Sequence, residues 1–303
     1  MKIGIPKAFL YYRYRELWQT FFQEIGCEIV TSQDTNKAML LAGAKDSIDE
    51  SCLPAKIYLG HVRSLIGRCD HIFVPRFENF GKNDVMCDRF MGLYDIVRNV
   101  YPEASLIGFD LASTEHKSQW QAYLGLGKTL GKGAVDILLA LRRARLAQEA
   151  ADKKRQEQQT GLFQEKGIKI LLAAQPYLIH DPYVGQPLAA MIREQGAIPL
   201  YSDHCCRRRC RQQALEICGN LYWIMNKESV GAIAMHRHQV DGIILLAAYP
   251  CGSDALVNEL VLRKIKDVPV IQIILDEQQS QAGLATRLES FIDILKERRR
   301  ATA

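Results

Sequence analysis

The chain has 303 residues, of which 48 % are hydrophobic and 24 % are charged, and its 39 Lys and Arg residues outnumber its 34 Asp and Glu residues by five. This composition is typical of a globular protein and excludes a disordered chain, a collagen-like repeat and a simple fibre. The length suggests about two domains. The small positive excess does not indicate nucleic-acid binding. No run approaches the roughly 18 apolar residues that a membrane span needs.

The cysteine content is the most informative part of the composition. The N-terminal segment lacks the features of a secretory signal, so we expect a cytoplasmic protein, in which a disulfide framework is not favoured. Metal or iron–sulfur ligation is the leading explanation for some of the cysteines, and burial in the core accounts for the others. The nine are Cys27, Cys52, Cys69, Cys87, Cys205, Cys206, Cys210, Cys218 and Cys251.

Short apolar strands alternate with amphipathic helices in both halves of the chain. The strands are expected at residues 3–6, 28–31, 71–75, 105–109, 169–173, 198–201, 242–247 and 270–275. The helices are expected at residues 14–24, 34–44, 57–65, 188–194 and 282–298. This alternation predicts parallel pairing and an α/β fold.

A long helix is expected over residues 134–159, apolar at its start and charged at its end. The sequence therefore predicts two doubly wound, Rossmann-like or flavodoxin-like parallel-sheet domains joined by a long helix. The N-terminal α/β domain is assigned to residues 1–133, the helical connector to 134–166 and the C-terminal α/β domain to 167–303. In such sheets, ligands bind beyond the carboxyl ends of the strands.

Three cysteines lie in loops or at helix starts: Cys52, Cys87 and Cys251. A thiol at a helix N-terminus has a lowered pKa because the unpaired N–H groups favour the thiolate, which is the form that binds iron. Their spacing does not resemble a compact zinc ribbon, so a shared site would have to be assembled from both halves. From the residues alone, chance loop cysteines explain the pattern equally well.

Two nucleotide-binding patterns are rejected. The run Gly125-Leu-Gly-Lys-Thr129 ends like a phosphate-binding loop, but Ala122 stands where the first glycine is required. A glycine-rich dinucleotide fingerprint is missing after the first strand. ATP is therefore expected to bind a partner, and a nicotinamide cofactor is not expected.

Motifs spread over nearly the whole chain carry a family resemblance. They are Ile3-Gly-Ile-Pro6, Asp49-Glu-Ser-Cys-Leu-Pro-Ala-Lys56, Gly60-His-Val62, Ile72-Phe-Val-Pro-Arg76, Cys87-Asp-Arg-Phe-Met-Gly-Leu93, Leu221-Tyr-Trp223, Tyr249-Pro-Cys-Gly-Ser-Asp-Ala-Leu-Val-Asn-Glu259, Leu275-Asp-Glu277 and Ala282-Gly-Leu-Ala-Thr-Arg-Leu-Glu289. Through them the chain resembles the 2-hydroxyacyl-CoA dehydratase superfamily. Within it, the chain is similar to the acyl-CoA dehydratase activase-related proteins and to the iron–sulfur subunits of benzoyl-CoA reductases.

The resemblance implies a cofactor and a partner. Cys52, Cys87 and Cys251 would bind an iron–sulfur cluster, either [4Fe–4S] or of the double-cubane type. A separate activase ATPase with its own cluster would inject a low-potential electron, and an acyl-CoA or another small substrate would accept it. Relatives pair their subunits, so a dimer is expected, and an oxygen-sensitive cluster would imply an anaerobic host.

The chain also departs from the family pattern. Many relatives are fused to the activase ATPase or to a second copy, whereas this chain is expected to be unfused. It also carries the insert His204-Cys-Cys-Arg-Arg-Arg-Cys210. Cys205, Cys206 and Cys210, joined by His204, form a second metal site in one interpretation. In the other they are incidental thiols in a flexible basic loop. The arginines of the insert would meet an acidic partner or CoA phosphates, or would simply face solvent.

Three further residues are candidates near the first two cysteines. His61 would hydrogen-bond a cluster sulfide or a substrate carbonyl, or would be a core histidine without chemistry. Lys56, one helical turn after Cys52, would offset the negative charge of a thiolate-ligated cluster. Glu78 would be a proton donor, or merely a polar loop residue.

These observations leave three functional hypotheses. The first is an iron–sulfur enzyme component of the dehydratase type, in which an iron without a protein thiolate binds the substrate oxygen as a Lewis acid. The second is a non-catalytic iron–sulfur electron carrier or assembly protein. The third is a zinc-stabilised α/β binding protein.

Overall fold

The computed structural model describes residues 1–115, 118–278 and 281–302. The chain divides into two compact units, unit 1 (Met1–Asp152) and unit 2 (Lys153–Ala303). Among the described residues, no helix combines the length and the apolar character that a bilayer crossing requires.

Unit 1 contains a parallel sheet and a smaller mixed sheet. Its described strands are β1 (Lys2–Ile5), β2 (Glu28–Thr31), β3 (His71–Phe73), β4 (Arg76–Gly81), β5 (Asp84–Val85), β6 (Leu106–Ile107) and β7 (Asp110–Ala112). The parallel sheet has the order β2-β1-β3-β6. In the smaller sheet, β4 pairs antiparallel with β5 and parallel with β7. The predicted α/β class with parallel sheets is confirmed.

The helices of unit 1 pack around these sheets. They are α1 (Tyr11–Glu24), α2 (Lys37–Lys45), α3 (Leu53–Leu65), α4 (Asp88–Met91), α5 (Leu93–Val100), α6 (Gln119–Thr129) and α7 (Ala134–Gln164), the last of which continues into unit 2. Aromatic rings dominate the core: Phe73 packs edge-on against Trp18 at 5.1 Å and against Phe22 at 5.0 Å. The run from Gly125 to Thr129 lies inside α6, so it does not form a phosphate-binding loop.

Unit 2 is built on a second parallel sheet. Its described strands are β8 (Ile168–Ala173), β9 (Ala197–Tyr201), β10 (Gly242–Ala248) and β11 (Val270–Leu275). They have the order β11-β10-β8-β9. All seven residues of β10 are buried, as expected for a central strand covered on both faces.

Each parallel sheet has a topological switch point, where successive strands are added in opposite directions from the first strand. In each unit the chain adds its second strand on one side of the first and its third on the other, so the switch lies between β1 and β3 in unit 1 and between β8 and β10 in unit 2. The helices of unit 2 are α8 (Pro176–Ile179), α9 (Gly185–Glu194), α10 (Arg207–Ile217), α11 (Ile224–His236), α12 (Gly252–Lys264) and α13 (Gln281–Thr302).

Candidate functional site

Cys52 and Cys87 occupy equivalent local positions in unit 1. Cys52 is the N-cap of α3 and Cys87 is the N-cap of α4, and both have extended backbone conformations with ψ of 150° and 161°. In this conformation the residue leaves the helix while the first N–H groups of the helix remain without intrahelical acceptors. Pro54 near the start of α3 suits that end, because proline lacks the N–H that would otherwise need a partner.

The two thiols lie close enough to influence each other electrostatically. Burial, with smaller contributions from the charges of Cys52 and Asp88, raises the pKa of Cys87 to about 11. The backbone N–H groups of Arg89 and Phe90 donate to the Cys87 sulfur and oppose this rise without overcoming it. Without a bound cation, Cys87 therefore remains a thiol at neutral pH, whereas a metal centre would replace its proton.

An aromatic contact holds the two cysteine-bearing helices in place. The Phe9 ring, which follows β1, packs against Tyr58 of α3 at 5.3 Å and against Phe90 of α4 at 4.7 Å. Phe9 has a φ of 48°, which is strained for a residue with a side chain. The surrounding structure must hold this conformation, since an isolated left-handed phenylalanine is unfavourable. All three rings are buried.

Lys56 and His61 both lie on α3 but differ in their surroundings. Lys56 is buried, and its backbone N–H donates to the Cys52 carbonyl at 3.2 Å. His61 is fully buried, with Nδ1 2.7 Å from the Ser32 hydroxyl and Nε2 2.9 Å from the Thr35 hydroxyl. Burial and the nearby Lys7 charge lower the pKa of His61 to about 3. Because both ring nitrogens are engaged, these contacts favour the interpretation of His61 as a core histidine.

Glu78 lies on a strand, so it is not the polar loop residue of one of its two sequence-based interpretations. It belongs to β4, and its carbonyl accepts a hydrogen bond from the Met86 N–H at 2.8 Å. That bond ties β4 to the residue before Cys87. The Glu78 side chain is half-buried. The strand was missed because β4 lacks an apolar alternation and owes its pairing to β7, which is distant in sequence.

Cys251 belongs to unit 2, where it is the N-cap of α12, three residues after the end of β10. Its sulfur lies 3.5 Å from the Ser253 hydroxyl. The neighbouring Asp254 carboxyl is buried and accepts hydrogen bonds from Gln175 at 3.0 Å and Asn226 at 2.7 Å. Burial raises the pKa of Asp254, and the hydrogen bonds from these amides and from Cys251 only partly offset that rise. Gln175 follows β8, so this polar cluster lies at the switch point between β8 and β10.

The cysteines of the insert form a thiol cluster in unit 2. Cys205 and Cys210 are buried, and Cys206 is the N-cap of α10. The Cys205 sulfur lies 3.3 Å from Nε2 of His236. A hydrogen bond to Cys210 and burial raise the pKa of Cys205, as do the charges of its neighbours. The insert is therefore partly helical and packed, which differs from the flexible-loop interpretation.

A different group of side chains in unit 2 was not identified from the sequence. Within the described parts of the chain, one group of three metal-ligating side chains has all its ligand atoms within 4.8 Å of one another: His180, Asp203 and His204. The sequence alone indicates His204 only as a possible fourth ligand beside Cys205, Cys206 and Cys210. The available signal was that Asp203 and His204 follow β9 while His180 follows the neighbouring strand β8.

The fold and these residues define an α/β protein with paired thiols at helix N-termini, two sheets of parallel strands and titratable groups at their carboxyl ends. The chain matches the family model described as the CoA enzyme activase uncharacterised domain over residues 2–205. It therefore belongs to that family. The match includes Cys52 and Cys87, and Cys251 lies outside it. No curated protein matches the chain.

Proposed function

We propose that this chain is the iron–sulfur redox component of an ATP-dependent, CoA-linked enzyme system of the 2-hydroxyacyl-CoA dehydratase type. Cys52 and Cys87 supply two ligands of the cluster. The third is Cys251, for which the support is the family resemblance and its own position at the start of α12. The observation that carries the proposal is that two thiols of unit 1 occupy the N-caps of two different helices and lie near enough for the charge of one to act on the other.

The surroundings of Cys87 support metal ligation over an unliganded thiol pair. Cys52 and Cys87 are half-buried, and two thiolates in such a site repel each other and lose part of their hydration, so a bound cationic centre favours the deprotonation of both. The N–H groups of Arg89 and Phe90, which donate to the Cys87 sulfur, would continue to donate to it as a metal-bound thiolate. Lys56 adds a buried ammonium group one helical turn from Cys52. These donors reduce the charge penalty of a thiolate-ligated cluster.

Aromatic side chains pack between the two helices that begin after Cys52 and Cys87. Phe9, Tyr58 and Phe90 form a continuous buried contact between α3 and α4, and this lowers the local dielectric constant. When bound, a [4Fe–4S] or double-cubane cluster supplies one-electron transfer at low potential and, at an iron without a protein thiolate, Lewis-acid binding of a substrate oxygen. Glu78, on the strand hydrogen-bonded to Met86 next to Cys87, is the proton donor in this proposal.

The family supports the choice of partner. Because its description refers to a CoA enzyme activase, we assign the supply of electrons to a separate activase ATPase with its own cluster, and the role of electron acceptor to an acyl-CoA or another small substrate. The protein would act as a dimer in an anaerobic cytoplasm. If the cluster only stores or carries electrons, its spectrum will not respond to any acyl-CoA thioester.

The proposal is tested by measuring iron, acid-labile sulfide and the visible spectrum after anaerobic purification. We expect a brown protein with about four or more irons per chain. The variants Cys52→Ala, Cys87→Ala and Cys251→Ala are each expected to lose most of the iron. Cys27→Ala is the matched control, because Cys27 is a buried thiol of unit 1 that plays no part in the proposed site.

Each alternative result has a defined meaning. A colourless wild-type protein with stoichiometric zinc would overturn the redox proposal in favour of a zinc-stabilised binding protein. Equal iron in all variants would refute the ligand assignment. Loss of iron in Cys52→Ala and Cys87→Ala, with full retention in Cys251→Ala, would refute the third ligand alone. Electron paramagnetic resonance of the reduced protein with and without acyl-CoA thioesters then separates an enzyme from a carrier.

A further inference from the structure

The pairing of β8 with β9 brings three metal-ligating side chains together in unit 2. The two strands are parallel, with Leu172 opposite Tyr201 near their carboxyl ends. Asp203 and His204 lie two and three residues after the end of β9, and His180 follows β8 after the short helix α8. Side chains that leave neighbouring parallel strands at this edge lie where α/β sheets bind ligands.

The geometry of the group suits a small cation. The His180 Nε2 lies 2.8 Å from Oδ2 of Asp203, and the His180 and His204 rings stack with centroids 5.1 Å apart. One ligand atom from each of the three residues lies within 4.8 Å of the other two. Such separations require only small side-chain rotations to reach the ligand spacing of a first-row metal ion.

Asp203 provides a second, independent indication of a missing ligand. Its Oδ1 is buried and has no hydrogen-bond partner in the part of the chain that the structure describes. A buried carboxylate oxygen without a partner destabilises the folded protein, so it indicates that a cation or a hydrogen-bond donor binds there.

The residues around the group hold it rigidly. The Tyr201 ring packs against both imidazoles, at 5.5 Å from His180 and 4.9 Å from His204. Gln159 of α7 fixes the Tyr201 backbone by accepting from its N–H at 3.1 Å and donating to its carbonyl at 2.9 Å. A pre-ordered shell of this kind reduces the entropy that ligand residues lose when a metal binds.

From this geometry we propose that His180, Asp203 and His204 form a binding site for a divalent first-row transition metal ion, with two imidazole nitrogens and one carboxylate oxygen as protein ligands. This donor set suits Zn²⁺, Co²⁺ or Fe²⁺. Three protein ligands leave at least one coordination position for water or a small ligand, as in catalytic metal sites. The site uses no cysteine and is independent of the proposed cluster.

Cobalt is the probe for the test, because its visible spectrum distinguishes nitrogen and oxygen ligands from sulfur ligands. The chelator-treated full-length protein is titrated with Co²⁺ under anaerobic conditions. We expect one ion with ligand-field bands in the visible region and no sulfur-to-cobalt charge-transfer band. Zn²⁺ should displace it.

Variants assign the ligands. His204→Ala and the nearly isosteric Asp203→Asn should each raise the dissociation constant at least about tenfold. The matched control is His238→Ala, because His238 is an exposed histidine of the same unit and should leave binding unchanged. Circular dichroism checks that each variant folds. The iron content measured after anaerobic purification should be the same in each variant as in the wild type, because Cys52 and Cys87 are unchanged.

Two results would overturn the proposal. One is cobalt binding in His204→Ala and Asp203→Asn with the affinity of the wild type. The other is a sulfur charge-transfer band that disappears when Cys205, Cys206 and Cys210 are all changed to alanine, because this would place the ion on the thiol cluster instead.

Discussion

Adding one methyl group at Gly43 tests the packing that positions α3, the helix that begins after Cys52. A Cβ atom at Gly43 would lie 1.8 Å from the Lys56 carbonyl oxygen and 2.6 Å from the Gly60 nitrogen, both on α3. Real Cβ atoms essentially never approach other heavy atoms closer than 3.0 Å. Backbone atoms cannot rotate away, so in Gly43→Ala the helices α2 and α3 must separate by roughly 1 Å or more.

The expected cost follows from two opposing effects. Overpacking lowers the free energy of unfolding by about 1–3 kcal/mol, whereas the higher helix propensity of alanine raises it by about 1 kcal/mol. Since the clash is with backbone, we expect a net loss of about 1–2 kcal/mol in the free energy of unfolding of unit 1. For a unit of this size, each 1 kcal/mol shifts Tm by about 2–4 °C. Gly43→Ala should therefore lower the Tm of unit 1 by about 2–8 °C.

The matched control is Gly125→Ala in α6, in the same unit. Nothing lies within 4 Å of a Cβ atom at Gly125, so only the propensity gain remains and Tm should rise by a few degrees. Differential scanning calorimetry of the two variants and the wild type measures both shifts. If Gly43→Ala were as stable as Gly125→Ala, the close approach of α2 and α3 would be refuted. Under the cluster proposal, Gly43→Ala should also lose iron, because α3 carries Cys52 at its start.

Two further predictions concern buried polar groups. His61 has a pKa of about 3 in the folded state against 6.5 in the unfolded state, so its contribution to stability is complete above pH 6.5 and falls by about 1.4 kcal/mol by pH 5.5. In His61→Gln the free energy of unfolding should not show this decrease at low pH. Equal pH dependence in the wild type and the variant would contradict the lowered pKa of His61. Asp254→Ala should cost about 2–4 kcal/mol, because it leaves the buried amides of Gln175 and Asn226 without an acceptor, whereas Asp254→Asn should cost less. Urea unfolding measures both, and equal losses in the two Asp254 variants would contradict the role of the acceptor, because asparagine keeps an acceptor oxygen and nearly the same shape whereas alanine keeps neither.

The strand framework was predictable where the apolar pattern alone decides the structure. The bounds of β2 and β11 agree with the sequence prediction to the residue, because each is a short run with β-branched residues, bounded by residues that favour turns. These are Gly26 and Ser32 around β2, and Pro269 and Asp276 around β11. The smaller sheet was not predictable in the same way. Its central strand β4 reads Arg-Phe-Glu-Asn-Phe-Gly and is mostly half-buried, so neither alternation nor burial identifies it. Its pairing with β7 supplies the missing information, and that contact joins residues far apart in the chain.

The difference between local sequence pattern and long-range contact also explains which site residues the sequence indicates and which it does not. A helix start is a local property, and the positions of Cys52, Cys87 and Cys251 as N-caps could be inferred from the residues that follow each of them. The partners of His61 could not, because Ser32 and Thr35 follow β2 and reach the histidine only through tertiary packing.

The His180, Asp203 and His204 group shows how such a gap could be closed from sequence. No motif spacing connects His180 to Asp203, because a helix and a strand lie between them. Once β8 and β9 are assigned as parallel neighbours, however, their carboxyl ends must lie side by side, about 5 Å apart in the hydrogen-bonding direction. Ligand-type residues that follow adjacent strands are then candidates for one site. In an α/β chain, metal ligands are therefore better sought among the residues that follow two neighbouring parallel strands than by their spacing along the sequence.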